Sequence, residues 1–499
     1  MTTTANSAAA VPEARKKFDV HVVWFLLAFV ALGAVLLMPI DSLAWDGRVA
    51  LGMLAFAVIM WVTEAVSYPV SALMIVGLIS VLVGLGPDPE KPGELYGTSK
   101  ALAVAMGGFS SSALALVAAA LILAGAMQAT GLHKRLALMV LKIAGEKVSH
   151  IVAGAIIIAI ILAFFVPSAT ARAGAVVPIL LGMVAAFGLP NNSRLGALLV
   201  ITAAQAVSVW NVGIKTAAAQ NLVATGFIQE QMGRDISWGQ WFIWAAPWSI
   251  LMSIVLFFVM RAAIKPETDR IEGGKELVIQ QLNEMGPMSA AEKRLVAIAV
   301  VLLGFWATED ILHPIDSSVV TAVAVAIMLT PRIGVFSWKQ AEKMVSWGTL
   351  IVFAIGISLG SFLLKTGAAT WLSEQTFGLM GLDKLPILAT IALVALFNIL
   401  IHLGFASATS LASALIPVFI ALAATLNVPD QGIGFVIIQQ FVICFGFLLP
   451  VSAPQNMLAY GTGAFTTKQF LKTGVPLTIA GYLLVLLLSA TYWHWMVLV

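Results

Sequence analysis

The sequence predicts an all-α polytopic membrane protein, with about 11 transmembrane helices and two re-entrant helical hairpins in an inverted repeat. Three observations predict it. Of 499 residues, 60% are apolar and 10% charged, with a mean hydropathy of +1.00, whereas a soluble protein needs roughly 25% charged residues to cover its surface. Apolar stretches close to the ~20-residue length of a spanning helix recur from Val20 to Val499. Motifs of the first half return in the same order in the second. A soluble enzyme is excluded. The lone Cys444 excludes a disulfide framework and a thiolate metal cluster. The net charge of +3 is spread over loops, without the basic block that nucleic acid would need.

Residues 1–48 read as an N-terminal tail and first transmembrane helix. Arg15, Lys16 and Lys17 precede an apolar stretch that begins at Val20 and runs to Pro39 without a small-residue cleavage site. Further spans follow it, so a first helix fits better than a secretory signal. Residues 49–262 form a first repeat and residues 293–499 a second, which ends in the final transmembrane helix. Between them, residues 263–292 alternate acids and bases and read as a solvated cytoplasmic linker.

Lys and Arg set the orientation. With the N-terminus in the cytoplasm, five of the 27 fall outside, namely Arg48, Lys91, Lys100, Arg234 and Lys384. Arg172, Lys215 and Lys365 lie at or near membrane depth, and the other 19 lie inside. That excess is the positive-inside rule, and it places the N-terminus in the cytoplasm and the C-terminus outside a bacterial-type inner membrane. Trp493 and Trp495 read as interfacial anchors, and Lys365 as a residue that snorkels to the interface.

The repeat is written in four matches. Trp61-Val62-Thr63-Glu64 with Pro69 returns as Trp306-Ala307-Thr308-Glu309 with Pro314, both at an offset of 245. Thr130-Gly131 returns as Thr366-Gly367. Ser168-Ala169-Thr170 with Pro178 returns as Ser407-Ala408-Thr409 with Pro417, at an offset of 239. Gln220-Asn221 returns as Gln455-Asn456, at an offset of 235. By the charge distribution the first Trp-x-Thr-Glu is cytoplasmic and the second external, so the repeats are inverted. An inverted repeat with substrate at the midplane is the plan of many secondary transporters.

The segment at about 150–188 breaks at Pro167-Ser168-Ala169-Thr170, where proline removes a backbone donor and hydroxyls compete for backbone hydrogen bonds. A hairpin entering from the cytoplasm fits. Its mirror, at about 385–427, turns at Ser407-Ala408-Thr409 and enters from outside. Non-helical backbone at membrane depth is tolerated where it lines a cavity, so the two tips point to one shared central site. Each tip begins a half-helix whose free N–H groups favour an anion. Two later segments break as well: Trp210-Asn211-Val212-Gly213-Ile214-Lys215-Thr216, and Pro450-Val451-Ser452-Ala453-Pro454. They bring amides and hydroxyls to membrane depth. Serine and threonine in apolar helices often only bond a preceding carbonyl or pack helices together, but repetition beside Pro or Gly in both halves favours a binding site. For His402 a packing role and a binding role stand level. The expected substrate site is Ser168, Ala169, Thr170, Arg172, Lys215, Thr216, Asn221, His402, Ser407, Ala408, Thr409, Ser452 and Asn456. The hydroxyls and amides donate hydrogen bonds, and Arg172 or Lys215 supplies positive charge. No catalytic residue, metal site or cofactor is expected, because the six histidines are scattered and no carboxylate stands near a tip in the sequence.

These residues resemble the divalent-anion/sodium symporter family, which includes bacterial citrate, succinate and malate carriers and plastid dicarboxylate translocators. The resemblance covers nearly the whole chain. It rests on Trp61-Val62-Thr63-Glu64-Ala65, Thr130-Gly131-Leu132, the run from Pro167 to Gly174, the second Ser407-Ala408-Thr409, and the run from Leu449 to Asn456. It implies a homodimer in the lipid bilayer, each protomer with a scaffold and a transport domain that moves as an elevator carrying a di- or tricarboxylate anion. Family tips usually read Ser-Asn-Thr, with the asparagines helping to hold carboxylate and, in sodium-coupled members, sodium. Here Ala169 and Ala408 replace them. An alanine side chain offers no oxygen to a cation, and the run from Thr170 to Gly174 looks more like the exchanger branch. The expected function is exchange of one dicarboxylate for another. A sodium-driven symporter of the same anions is the alternative, and an anion channel or a sulfonate or oxyanion carrier stands further off.

Overall fold

The computed structural model describes residues 20–426 and 428–499. The basic tail with Arg15, Lys16 and Lys17, which precedes the expected first transmembrane helix, and Asn427 at the end of the second expected hairpin lie outside the described residues. The chain is mostly helical. Nine described helices are long and apolar enough to cross a membrane, and four shorter apolar helices accompany them. One feature departs from the all-α expectation: a small antiparallel pair, β1 (Pro87–Asp88) and β2 (Lys91–Leu95). Asp88 shapes its turn by accepting the Glu90 N–H at 2.9 Å, a local competition for backbone that Asp offers readily.

The helices run in two series. The first is α1 (Val20–Leu37), α2 (Trp45–Thr63), α3 (Tyr68–Gly84), α4 (Thr98–Ala105), α5 (Ser112–Thr130), α6 (Leu132–Ala144), α7 (Val148–Phe165), α8 (Ala169–Ala186), α9 (Arg194–Gly213), α10 (Ala219–Met232) and α11 (Trp238–Ala263). After α12 (Gly274–Glu284) come α13 (Ala290–Thr308), α14 (Ser317–Leu329), α15 (Trp338–Met344), α16 (Trp347–Lys365), α17 (Ala368–Ser373), α18 (Ile387–His402), α19 (Ala408–Ala423), α20 (Ile433–Ile443), α21 (Pro454–Gly461), α22 (Thr467–Ala490) and α23 (Tyr492–Trp495).

The threonines of two repeated motifs bond alike in both series. Thr63 bonds the Ile59 carbonyl and Thr308 the Gly304 carbonyl, each at 2.7 Å. Thr130 and Thr366 each bond the carbonyl four residues back at 2.8 Å. Gly131 and Gly367 follow in the left-handed conformation, φ 73° in both, which glycine adopts without a Cβ penalty. The bland reading of these threonines therefore holds: they close helix ends.

α9 sits at the centre, with every residue from Leu195 to Gly213 buried. A helix apolar all round belongs in a core. α20 is buried in the same way. The linker is more ordered than a solvated connector. Its α12 packs on α6 and α8, and its end is fastened by a buried ion pair in which Arg135 Nε meets Glu292 Oε1 at 2.6 Å. Arg135 also donates to the Gly286 and Met285 carbonyls. At the C-terminus, Trp495 is exposed as an anchor would be, but Trp493 is fully buried and donates to the Trp244 carbonyl at 2.8 Å, so it fastens α23 to α11.

Candidate functional site

Both hairpins form. α7 and α8 are separated by Val166–Ser168, and α18 and α19 by Leu403–Ser407. Val166 is extended (φ −123°, ψ 94°), as a residue before proline must be to avoid the ring. Ser168 then caps α8 by accepting the Ala171 N–H at 3.2 Å, and Ser407 caps α19 by accepting the Ser410 N–H at 3.2 Å. The Arg172 and Leu411 N–H groups go to the Ser168 and Ser407 carbonyls. The first two N–H groups of each half-helix, at Ala169 and Thr170 and at Ala408 and Thr409, have no partner among the described residues.

The tips meet in one cavity of about 1080 Å³. Of the expected residues it is lined by Ser168, Ala169, Thr170, His402, Ser407, Ala408, Thr409 and Ser452. The hydroxyls of Thr170 and Thr409 make no hydrogen bond among the described residues, so both are free to donate. Four unpartnered N–H groups, two free hydroxyls and two helix N-termini converge on one space, which suits an anion with several oxygens.

The remaining expected residues stand behind this cavity. Arg172 is fully buried. Its Nη2 donates to Asn211 Oδ1 at 2.5 Å and to the Ala217 carbonyl at 2.9 Å, which ties α8 to the break between α9 and α10. Its Nε and Nη1 have no partner. Lys215 is also buried, and its Nζ donates to the Ile236 carbonyl. Thr216 accepts from Trp238 Nε1 at 3.2 Å. The short turn Lys215–Ala217 thus directs both side chains to the start of α11, so neither lines the cavity. Asn221 and Asn456 brace the two breaks: Asn221 Nδ2 donates to the Asn211 carbonyl and Asn456 Nδ2 to the Gly446 carbonyl, each ten residues back and each at 2.7 Å.

A second correspondence joins the breaks to the hairpins. His402 Nε2 lies 3.2 Å from the Ser452 carbonyl. Ser452 follows Ala217 by the same offset of 235 that relates the Gln-Asn pairs. One nitrogen-bearing side chain from each hairpin therefore reaches the matching backbone carbonyl of its half, Arg172 in the first and His402 in the second.

Three lining residues belong to motifs singled out in the sequence but not to the expected substrate site. Asn211 is buried and lines the cavity, with its Oδ1 held by Arg172. Gln220 and Gln455 belong to the repeated Gln-Asn pairs and also line it. The signal was available, because amides inside a wholly apolar segment need a partner. No carboxylate stands near a tip in the sequence, but packing brings Glu64 to the cavity wall, where it accepts from Tyr68 Oη at 2.9 Å. No Lys or Arg lines the cavity among the described residues.

A separate acidic group, Asp235, Glu309 and Asp316, places one oxygen from each within 4.8 Å of the others. Glu309 already accepts the Ser317 N–H at 2.9 Å, the Ser317 hydroxyl and the Trp238 N–H at 3.3 Å. It acts as a clamp between α11 and α14. Burial holds the Asp235 carboxyl above its ordinary value, partly offset by Lys215.

Comparison with known proteins accords with this architecture. The chain is 49% identical over 96% of its length to a membrane protein of Cupriavidus necator, covering 94% of that protein. It is 26% identical to the sodium-dependent dicarboxylate transporter SdcS of Staphylococcus saprophyticus, over 91% of this chain and 87% of the other. It is 29% identical to the L-tartrate/succinate antiporter of Escherichia coli K12, over 86% and 88%. The YdaH transporter of Alcanivorax borkumensis shares the fold at 12% identity, with a TM-score of 0.56 over 87% of this chain and 98% of that one. Residues 20–499 match the family described as the sodium:sulfate symporter transmembrane region. The chain thus belongs to that family, the divalent-anion/sodium symporters, a family of membrane transporters and not of enzymes.

Proposed function

We propose that the protein exchanges one di- or tricarboxylate for another across the inner membrane. The observation that carries this reading is the single cavity on which both Ser-Ala-Thr tips converge with free donors. A dicarboxylate has a carboxylate at each end, and each tip offers a hydroxyl and two N–H groups for one of them. Asn211 adds a further donor. With its Oδ1 accepting from Arg172, its Nδ2 is the group left to face the substrate.

Exchange, in preference to symport, follows from what stands where a mobile cation would be needed. A divalent anion in a low-dielectric region needs its charge offset. Ala169 and Ala408 give no side-chain oxygen for sodium, whereas Arg172 already occupies the Asn211 and Ala217 oxygens with a fixed guanidinium. Of the two cations expected from the sequence, Arg172 is the one in contact with the cavity wall. His402 takes the corresponding place in the second half. A fixed positive charge without substrate resists crossing, so empty return is suppressed and exchange becomes obligatory.

The transport cycle is that of an inverted repeat of about 11 spans, with the hairpins entering from opposite sides, the N-terminus in the cytoplasm and the C-terminus outside. The transport domain moves as an elevator within a homodimer. The matching hydrogen bonds of Thr63 and Thr308, of Thr130 and Thr366, and of the capping Ser168 and Ser407 support the repeat, and the 19 inside Lys and Arg support the orientation. A sodium-driven symporter of the same anions is the second reading, favoured by the similarity to SdcS. Counterflow in proteoliposomes tests the choice: labelled succinate enters vesicles loaded with unlabelled dicarboxylate under exchange, and enters empty vesicles along a sodium gradient under symport.

A further inference from the structure

Away from the central site, a cavity of about 590 Å³ opens between the start of α7, the end of α11 and the linker. Lys147, Ser149, Arg261, Lys265, Asp269 and Arg270 line it. The backbone assembles this charge. Lys147 and Arg270 face each other in an isolated antiparallel bridge, fixed by Val148 N–H to the Asp269 carbonyl and Ile271 N–H to the Glu146 carbonyl, both at 2.9 Å. Like charges set directly opposite one another are destabilising. Arg270 is relieved by Glu146 at 3.1 Å. Lys147, Arg261 and Lys265 have no ion pair among the described residues, and Asp269 is the one acid on the lining. Arg261 rests over the Phe257 ring at 5.5 Å, which leaves its guanidinium edge available.

Three unpaired cations around one hollow gain by taking up a polyvalent anion, and Ser149 adds a hydroxyl at the first turn of α7. The hollow lies where α11 ends and α7 begins, both helices long and apolar enough to cross a membrane, on the face that the Lys and Arg distribution assigns to the cytoplasm, and helix ends of that kind meet lipid headgroups. The geometry points to a phosphate-group site at this cavity, filled by the headgroup of an anionic phospholipid or by free phosphate. Because the bridge joins the linker to the first arm of the hairpin, an anion held there fastens the two together.

The test uses the full chain in detergent micelles, with thermal unfolding followed on addition of phosphatidylglycerol, phosphatidylcholine of the same acyl chains, or inorganic phosphate. Phosphatidylglycerol raises the midpoint of the wild type and phosphatidylcholine does not. In the triple variant Lys147→Gln, Arg261→Gln and Lys265→Gln the half-saturating concentration rises about a hundredfold, each lost cation counting for roughly fivefold. Comparison of wild type and variant isolates this hollow from the central cavity. The single Lys265→Gln serves if the triple variant folds poorly, and Lys468→Gln with Lys472→Gln must leave the response intact. A variant-sensitive shift with phosphatidylglycerol alone assigns the lipid headgroup. The same shift with inorganic phosphate assigns the free ion. If neither probe distinguishes wild type from the Gln variants, the site does not exist.

Discussion

Thr170→Val and Thr409→Val remove one donor from each tip at nearly constant shape. Neither hydroxyl has a partner within the protein among the described residues, so nothing is left unsatisfied by the change. The cost to the fold should stay within about 0.5 kcal/mol. Ser168→Ala and Ser407→Ala are poorer probes, because each also strips a helix cap (3.2 Å in both) worth about 1 kcal/mol. A hydrogen bond to a charged group contributes about 1.5 to 3 kcal/mol, so each threonine variant should bind dicarboxylate roughly tenfold to a hundredfold more weakly. If both hydroxyls hold the same anion, the double variant loses more than either single one. Calorimetric titration of the purified protein with succinate reads the affinity, and a thermal midpoint within a few degrees of wild type confirms the fold. Unchanged affinity in both variants, or a loss confined to one tip, would refute a site shared by the hairpins.

Other consequences follow from the same structure. Arg172→Leu removes the fixed charge and orphans Asn211 Oδ1 and the Ala217 carbonyl, so exchange should fall at least a hundredfold, whereas Lys215→Ala, off the cavity, should retain most of it in the same uptake assay. Asn211→Ala should weaken dicarboxylate binding by about tenfold, the worth of one hydrogen bond to charge, and a titration showing unchanged affinity would remove it from the site. Arg135→Met leaves Glu292 buried and unpaired, and should destabilise the fold by about 3 to 5 kcal/mol. Arg135 and Ser289 hold the Glu292 carboxyl below its ordinary value against burial, so its stabilising contribution is fully present above the usual carboxylate range and is lost as pH falls through the depressed value; thermal melts of wild type and Glu292→Gln should converge on acidification. With Cys444 replaced by serine, single cysteines at Glu146 and Lys384 should react with an impermeant reagent from the cytoplasmic and outer sides respectively, and labelling from one side would break the inverted repeat.

The tips were legible in the sequence because their chemistry is local: hydroxyls and a helix start fall within three residues, and Ser-Ala-Thr occurs twice, with a proline directly before the first. Thr63, Thr130 and their counterparts were legible as positions but not as roles, and they prove to be helix ends. Arg172 was visible as a charge, but its direction depends on how α8 leans on α9, which no local pattern encodes. Glu64 was missed because more than a hundred residues separate it from the first tip, and only packing of α2 near the hairpins brings it there. Trp493 was misread because a terminal tryptophan looks the same in sequence whether it meets lipid or a backbone carbonyl. The linker was read as solvated from its charge, yet Glu292 at its end is hidden from water in a buried pair with Arg135 of α6.

A fixed cation at Arg172 would make exchange obligatory. Labelled succinate uptake into proteoliposomes, with and without internal unlabelled dicarboxylate and with and without an inward sodium gradient, tests it most directly. Obligatory exchange gives uptake that requires internal dicarboxylate and is indifferent to sodium. Sodium-stimulated uptake into vesicles lacking dicarboxylate would contradict it.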